Sequence, residues 1–136
     1  MKNQRIWISK ESMKTKLKLT DSEKNDIMTQ CQPLVHLFKN QYVIENPDTR
    51  FDYLVDVYAK WYHNYLYFCE KFKSEHANRI KDEYEVKFIR LELTGKDRYN
   101  FSYYRHTGQW FLVTIDLTLK DCMEMMQANP NFQPIG

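Results

Sequence analysis

Asp52, Asp56, His63 and Glu70 stand four, seven and seven residues apart in the stretch FDYLVDVYAKWYHNYLYFCEKF, residues 51–72. Carboxylates with an imidazole are the groups that bind metals or shuttle protons. If the stretch is a helix, seven residues are about 10.5 Å of rise, too far for one ion to bridge. The Glu-x-x-His pair of bundle di-metal sites is absent. The four residues therefore read as a solvated strip with Asp56–Lys60 as an i,i+4 pair, and no metal or cofactor is expected.

The densest polar-aromatic run is Tyr103-Tyr104-Arg105-His106-Thr107-Gly108-Gln109-Trp110. It falls at a hairpin tip, where side chains converge and binding residues concentrate. Arg105 can clamp an anion and His106 can titrate near neutral pH. Tyr104, Arg105, His106, Arg98 and Tyr67 are the candidate binding residues, and no catalytic set stands out. Cys31, Cys69 and Cys122 lie far apart, without CxxC or Cys/His spacing. They read as buried thiols of a reducing cytoplasm. Walker, GxGxxG, GxSxG and HExxH patterns do not occur, and three glycines leave little for a phosphate-cradling loop.

The elements that must position these residues follow from periodicity. Thr20-Asp21-Ser22-Glu23 is a capping box that opens a helix running from Asp21 toward Val43. Pro33 lies inside it and predicts a kink, or two helices, near Gln30–Pro33. Nine of the residues from Phe51 to Phe72 are aromatic. Spacings of three and four among Phe51, Leu54, Val55, Tyr58, Trp61 and Tyr62 predict a long aromatic helix ending near His76, with Tyr53 and Tyr67 off its buried stripe. After Asp82 the period falls to two. Strands are expected over Tyr84–Leu93, Arg98–His106 and Trp110–Asp116, with a bulge at Phe88-Ile89 and turns at Gly95-Lys96-Asp97 and Thr107-Gly108. Thr118-x-x-Asp121 opens a last helix to about Ala128, and Phe132 and Ile135 can fold back onto the body.

The expected class is α+β: N-terminal helices, including the aromatic one, on a three-stranded antiparallel meander, then a short C-terminal helix. Ile6-Trp7-Ile8 would add a fourth strand. One domain suits 136 residues, with residues 1–19 as a basic arm. Within residues 1–20, six lysines and arginines oppose one glutamate, yet the whole chain is only +2. A sequence pI near 8.3 is low for a nucleic-acid footprint, so nucleic acid is not the expected partner. No run reaches the roughly 18 apolar residues of a membrane span, and no secretory h-region is present.

These features favour a small, non-catalytic, cytoplasmic binding or protein-interaction module, with a second copy or another protein as partner. Two alternatives stand beside it. The order strand, two helices, three strands, helix is similar to that of RelE-type ribonuclease toxins, by analogy of predicted order. It would make Arg98, Arg105 and His106 the catalytic set. The other alternative is a small molecule held in an aromatic cavity between helix and sheet.

Overall fold

The computed structural model describes residues 17–135. The expected strand at Ile6–Ile8 and most of the basic arm lie outside these residues. Helix α1, Asp21–Tyr42, is followed by β1 (Tyr53–Tyr62), β2 (Tyr65–Lys73), β3 (Glu83–Gly95), β4 (Arg98–Tyr104) and β5 (Trp110–Leu117). Helix α2, Leu119–Ala128, and a 3-10 turn at Pro130–Phe132 end the described chain. The class is α+β. The sheet has five strands in the order β1-β2-β3-β4-β5, each antiparallel to its neighbours.

The capping box forms as the sequence requires: Thr20 Oγ1 accepts from the Glu23 N–H at 3.1 Å, and Glu23 Oε1 accepts from the Thr20 N–H at 2.9 Å. Helix α1 runs through Pro33 as one element, not two. Pro33 sits on the exposed side, between the buried Cys31 and Leu34. The carbonyl that loses its partner one turn earlier belongs to Thr29, also exposed, so water can satisfy it.

The long aromatic helix does not form. Residues 53–73 are instead the β1–β2 hairpin, turning at His63-Asn64 with His63 at φ 52°. The pairing runs from Tyr62↔Tyr65 to Tyr53↔Lys73, with a bulge between Leu54 and Asp56. Leu66, Phe68, Glu70 and Phe72 point to one face of β2, and Tyr65, Tyr67, Cys69, Lys71 and Lys73 to the other. Rings occupy both faces, so a period of two and a period of 3.6 can be drawn through the same letters. The residues themselves, β-branched and aromatic, are those that suit a pleated strand.

This change dissolves the polar strip. Asp52 precedes β1, His63 is in the turn, and Glu70 is buried in the inner face. Asp56 pairs with Lys39 of α1 at 2.9 Å, and Lys60 pairs with Glu85 of β3 at 2.7 Å, in place of an Asp56–Lys60 helix pair.

Helix α1 and α2 cover the inner face. Cys31 and Phe38 from α1, Phe68 and Leu66 from β2, Leu91 from β3, Phe101 from β4 and Met126 from α2 are fully buried together. The helix is tied to the hairpin turn by polar contacts: Trp61 Nε1 donates to the Lys24 carbonyl at 3.3 Å, and Lys24 Nζ donates to the His63 carbonyl at 3.2 Å. The bulge read from Phe88-Ile89 is present, since Phe68 faces Ile89 while Cys69 faces Lys87, leaving Phe88 as the extra residue. In the tail, Phe132 is buried against Phe101 and Tyr103, whereas Ile135 is exposed.

Candidate functional site on the outer face of the sheet

The face of the sheet turned away from the helices carries a packed group of rings and cations. Alternation along each strand puts Tyr65 and Tyr67 of β2, Lys87 and Arg90 of β3, and Tyr104 of β4 there, with Trp110 and Leu112 of β5. One row of partners crosses four strands: Tyr67↔Arg90, Arg90↔Ser102, Ser102↔Leu112. Ser102 is small and buried. Its size leaves room for Arg90 to reach diagonally to Trp110, whose ring centroid is 4.8 Å from the guanidinium carbon. The same guanidinium lies 5.2 Å from the Tyr65 ring. Lys87 Nζ is 5.5 Å from the Tyr67 ring. Tyr67 and Tyr104 flank Trp110 at 5.9 and 5.2 Å between centroids. A planar cation between two electron-rich ring faces is worth about 0.5–1 kcal/mol per contact at an accessible site. These contacts hold the side chains in place.

Beside this group, Glu85 collects three donors. Tyr58 donates its phenol, Lys60 lies 2.7 Å away and Lys87 lies 3.3 Å away. Burial alone would raise the Glu85 pKa, but hydrogen bonds from Lys60, Tyr58 and Lys87 outweigh it and bring the carboxyl down to about 2. Burial, followed by the hydrogen bond to Glu85 and then that group's charge, pushes the Tyr58 phenol well above its ordinary value. Lysine charge on this face is therefore largely answered by carboxylate.

The sequence-predicted binding residues separate into two groups. Tyr67 and Tyr104 meet at Trp110. Arg105 lies instead over Phe111, 4.1 Å from its centroid, and its Nε donates to the Tyr103 hydroxyl at 3.3 Å. His106 is exposed in the turn closed by the Arg105 N–H to Gln109 carbonyl bond. Arg98 is at the far end of β4, its Nε 3.7 Å from Asp116 Oδ1. A strand of seven residues is roughly 20 Å long, so Arg98 does not converge with Arg105 and His106 on one reacting group. Arg90, Lys87, Tyr65 and Trp110 were missed in the sequence. The phase shift at the Phe88 bulge hid that Lys87 and Arg90 share a face.

A second polar cluster sits at the opposite end of the hairpin. Asp52 Oδ1 accepts from Ser74 Oγ at 2.7 Å and contacts His76 Nε2 at 2.9 Å, while Oδ2 accepts from the Tyr84 hydroxyl at 2.6 Å. Hydrogen bonds from Ser74 and Tyr84 hold the Asp52 carboxyl below its usual range. Ser74 and His76 both address the carboxylate, not each other, so this is no nucleophile–base relay. It ties the segment after β2 to the start of β1, beside a surface hollow of about 380 Å³.

Glu70 is 1% exposed, and burial pushes its pKa up to about 7. One oxygen accepts the Ile135 N–H at 3.2 Å, and the other finds no hydrogen-bond partner among the described residues. Cys31, Cys69 and Cys122 are free and buried, each thiol pushed up to about 12 mainly by desolvation. Among the described residues, no group of three or more His, Cys, Asp or Glu could hold a metal ion, and no helix is long and apolar enough to cross a membrane.

Comparison with known proteins adds one finding. A family model described as "Domain of unknown function (DUF3024)" matches residues 23–134. No curated protein and no solved structure matches.

Proposed function

The chain belongs to the DUF3024 family, and we propose that it is a small non-catalytic module that binds a partner protein on the outer face of its sheet. The observation that carries the reading is Arg90 held between Tyr65 and Trp110, with Tyr67 and Tyr104 alongside. Tyrosine, tryptophan and arginine are the residues that dominate binding energy at protein interfaces. Side chains already packed against each other lose little further freedom on binding, which favours affinity.

Charge separates a protein partner from single-stranded nucleic acid. A strand-binding groove combines stacking rings with uncompensated cations that release counterions. Here Glu85 answers Lys60 and Lys87 on the same face. The three buried thiols suit a reducing compartment, consistent with a cytoplasmic module.

The test is a comparative affinity isolation with the wild-type chain and Arg90→Ala, both shown to be folded by circular dichroism. A protein retained only by the wild type is then purified and titrated against Trp110 fluorescence, with Trp110→Phe as the signal control. Affinity at least roughly tenfold weaker for Arg90→Ala supports the reading. The reading fails if no protein discriminates the two chains, or if an oligouridine strand binds in a Trp110-dependent manner instead.

A further inference from the structure

The two edges of the sheet differ in how they are closed. At the β1 edge, a bulge interrupts the strand, and Asp56 Oδ1 accepts the Val57 N–H at 2.9 Å. Lys39 of α1 pairs with the same carboxylate, and Lys60 adds a further charge. These are the devices that stop an edge from templating another strand. The β5 edge is irregular too, its pairing with β4 shifting on either side of Phe101 and Asp116 lying at φ 61°, but it reads WFLVTIDL, with Asp116 its one charged residue and no proline. Phe111, Leu112 and Ile115 are 43, 54 and 59% exposed. Among the described residues no strand pairs with the far side of β5, and an edge of rings and branched aliphatics offers backbone groups and apolar side chains together, both of which strand addition satisfies.

We propose that β5 pairs antiparallel with β5 of a second copy of this chain, making one continuous ten-stranded sheet about a two-fold axis normal to it. Charge chooses this occupant. The start of β5 is basic, with Arg105 lying over Phe111 and His106 in the adjoining turn. Its end carries Asp116, an exposed carboxylate whose ion pair with Arg98 is long, at 3.7 Å, and leaves it able to take a second cation. Antiparallel self-pairing brings the Arg105 end of each copy to the Asp116 end of the other, whereas parallel pairing would set like charges together. Such an interface is self-complementary, as two-fold symmetry requires. A two-fold axis normal to the sheet also keeps both outer faces on the same side. The pairing uses the edge, and so stands whatever occupies the outer face.

Sedimentation equilibrium of the full chain, from low micromolar to hundreds of micromolar, decides it. The expected species has twice the 16.6 kDa chain mass. Ile115→Lys and Leu112→Lys each place a charge on a side chain already exposed in one copy, so the monomer keeps its circular dichroism and melting curve while the dimer dissociates. Arg105→Glu weakens association about tenfold or more by facing Asp116, and adding Asp116→Asn recovers part of the loss. Hydrogen exchange of the β5 amides slows in the wild-type dimer and quickens in Ile115→Lys. A wild-type chain that stays monomeric across the range overturns the proposal, as does a dimer that survives both lysine variants. Arg90→Ala leaves the mass unchanged, so loss of a partner on the outer face and loss of the dimer are separate results.

Discussion

The inner and outer faces of the sheet use aromatic residues for different purposes. Inside, Phe68, Phe72 and Phe101 have no polar atom and pack in the core with aliphatics and other rings, Tyr99 among the buried residues. Outside, Tyr58, Tyr65, Tyr67 and Trp110 each carry a polar handle and contact lysine, arginine or glutamate, while Tyr104 packs edge-on against Trp110. Neighbours in sequence thus differ in role: Phe68 belongs to the core and Tyr67 to the surface. A ring is a large apolar payload in either place, and a polar tip lets it meet water without confining it there, since Tyr99 is 1% exposed on the inner face.

The sharpest way to break this comparison is to truncate those neighbours. Phe68→Ala removes a fully buried ring and should cost about 3–5 kcal/mol in urea unfolding. Tyr67→Ala should cost about 1 kcal/mol or less, because it loses ring and cation contacts at a face that water already reaches. Equal losses would mean that the outer face is core.

The two buried or half-buried glutamates give opposite pH signatures. Glu70, on the inner face, has its pKa raised from 4.5 to about 7, so the native state binds that proton more tightly than the unfolded chain. Stability contributed by the neutral acid is full below pH 4.5 and is lost as pH rises to 7, by at most about 3 kcal/mol. Glu70→Gln should therefore be more stable than wild type at pH 8, by about 1–3 kcal/mol, and nearly equal to it at pH 4. Denaturant curves at the two pH values measure this.

Glu85, on the outer face, has its pKa lowered from 4.5 to about 2. Its stabilisation is present above pH 4.5 and disappears as pH falls toward 2. Allowing for solvent screening, Glu85→Gln should cost about 1–2 kcal/mol at pH 7 and close to nothing at pH 2. A pH-independent cost would assign the Glu85 effect to packing and not to charge.

The smallest signal is chemical. The three thiols are buried and pushed up to about 12, so an aromatic disulfide reagent at pH 8 should titrate none of them until the chain unfolds. Prompt labelling of Cys69, the one thiol on the outward-pointing side of β2, would show that the face opens in solution.

Much of the fold was legible in the sequence. Thr20 and Glu23 announced the start of α1, Thr118 and Asp121 that of α2, and both caps form. Gly95-Lys96-Asp97 and Thr107-Gly108 marked real turns, and Gly108 adopts φ 83°, which a side chain would disfavour. The β4 alternation of Tyr99, Phe101 and Tyr103 is the face turned to the core. The β1–β2 hairpin was not legible, because its turn is His63-Asn64 without glycine and its rings populate both faces. The outer site was legible only in part: Tyr67 and Tyr104 could be named, but their meeting at Trp110 depends on register across β2 to β5.

Taken alone, the order of letters determined where helices begin, where the later strands turn, and that a large aromatic core must exist. Those are local matters, settled by caps, glycines and alternation within a few residues. The tertiary structure decided that residues 53–73 extend and pair, that Arg90 reaches Trp110 over Ser102, and that β5 is the last strand of the sheet among the described residues. Each of these depends on which strand lies beside which, and that is set by bringing distant segments together around one buried face.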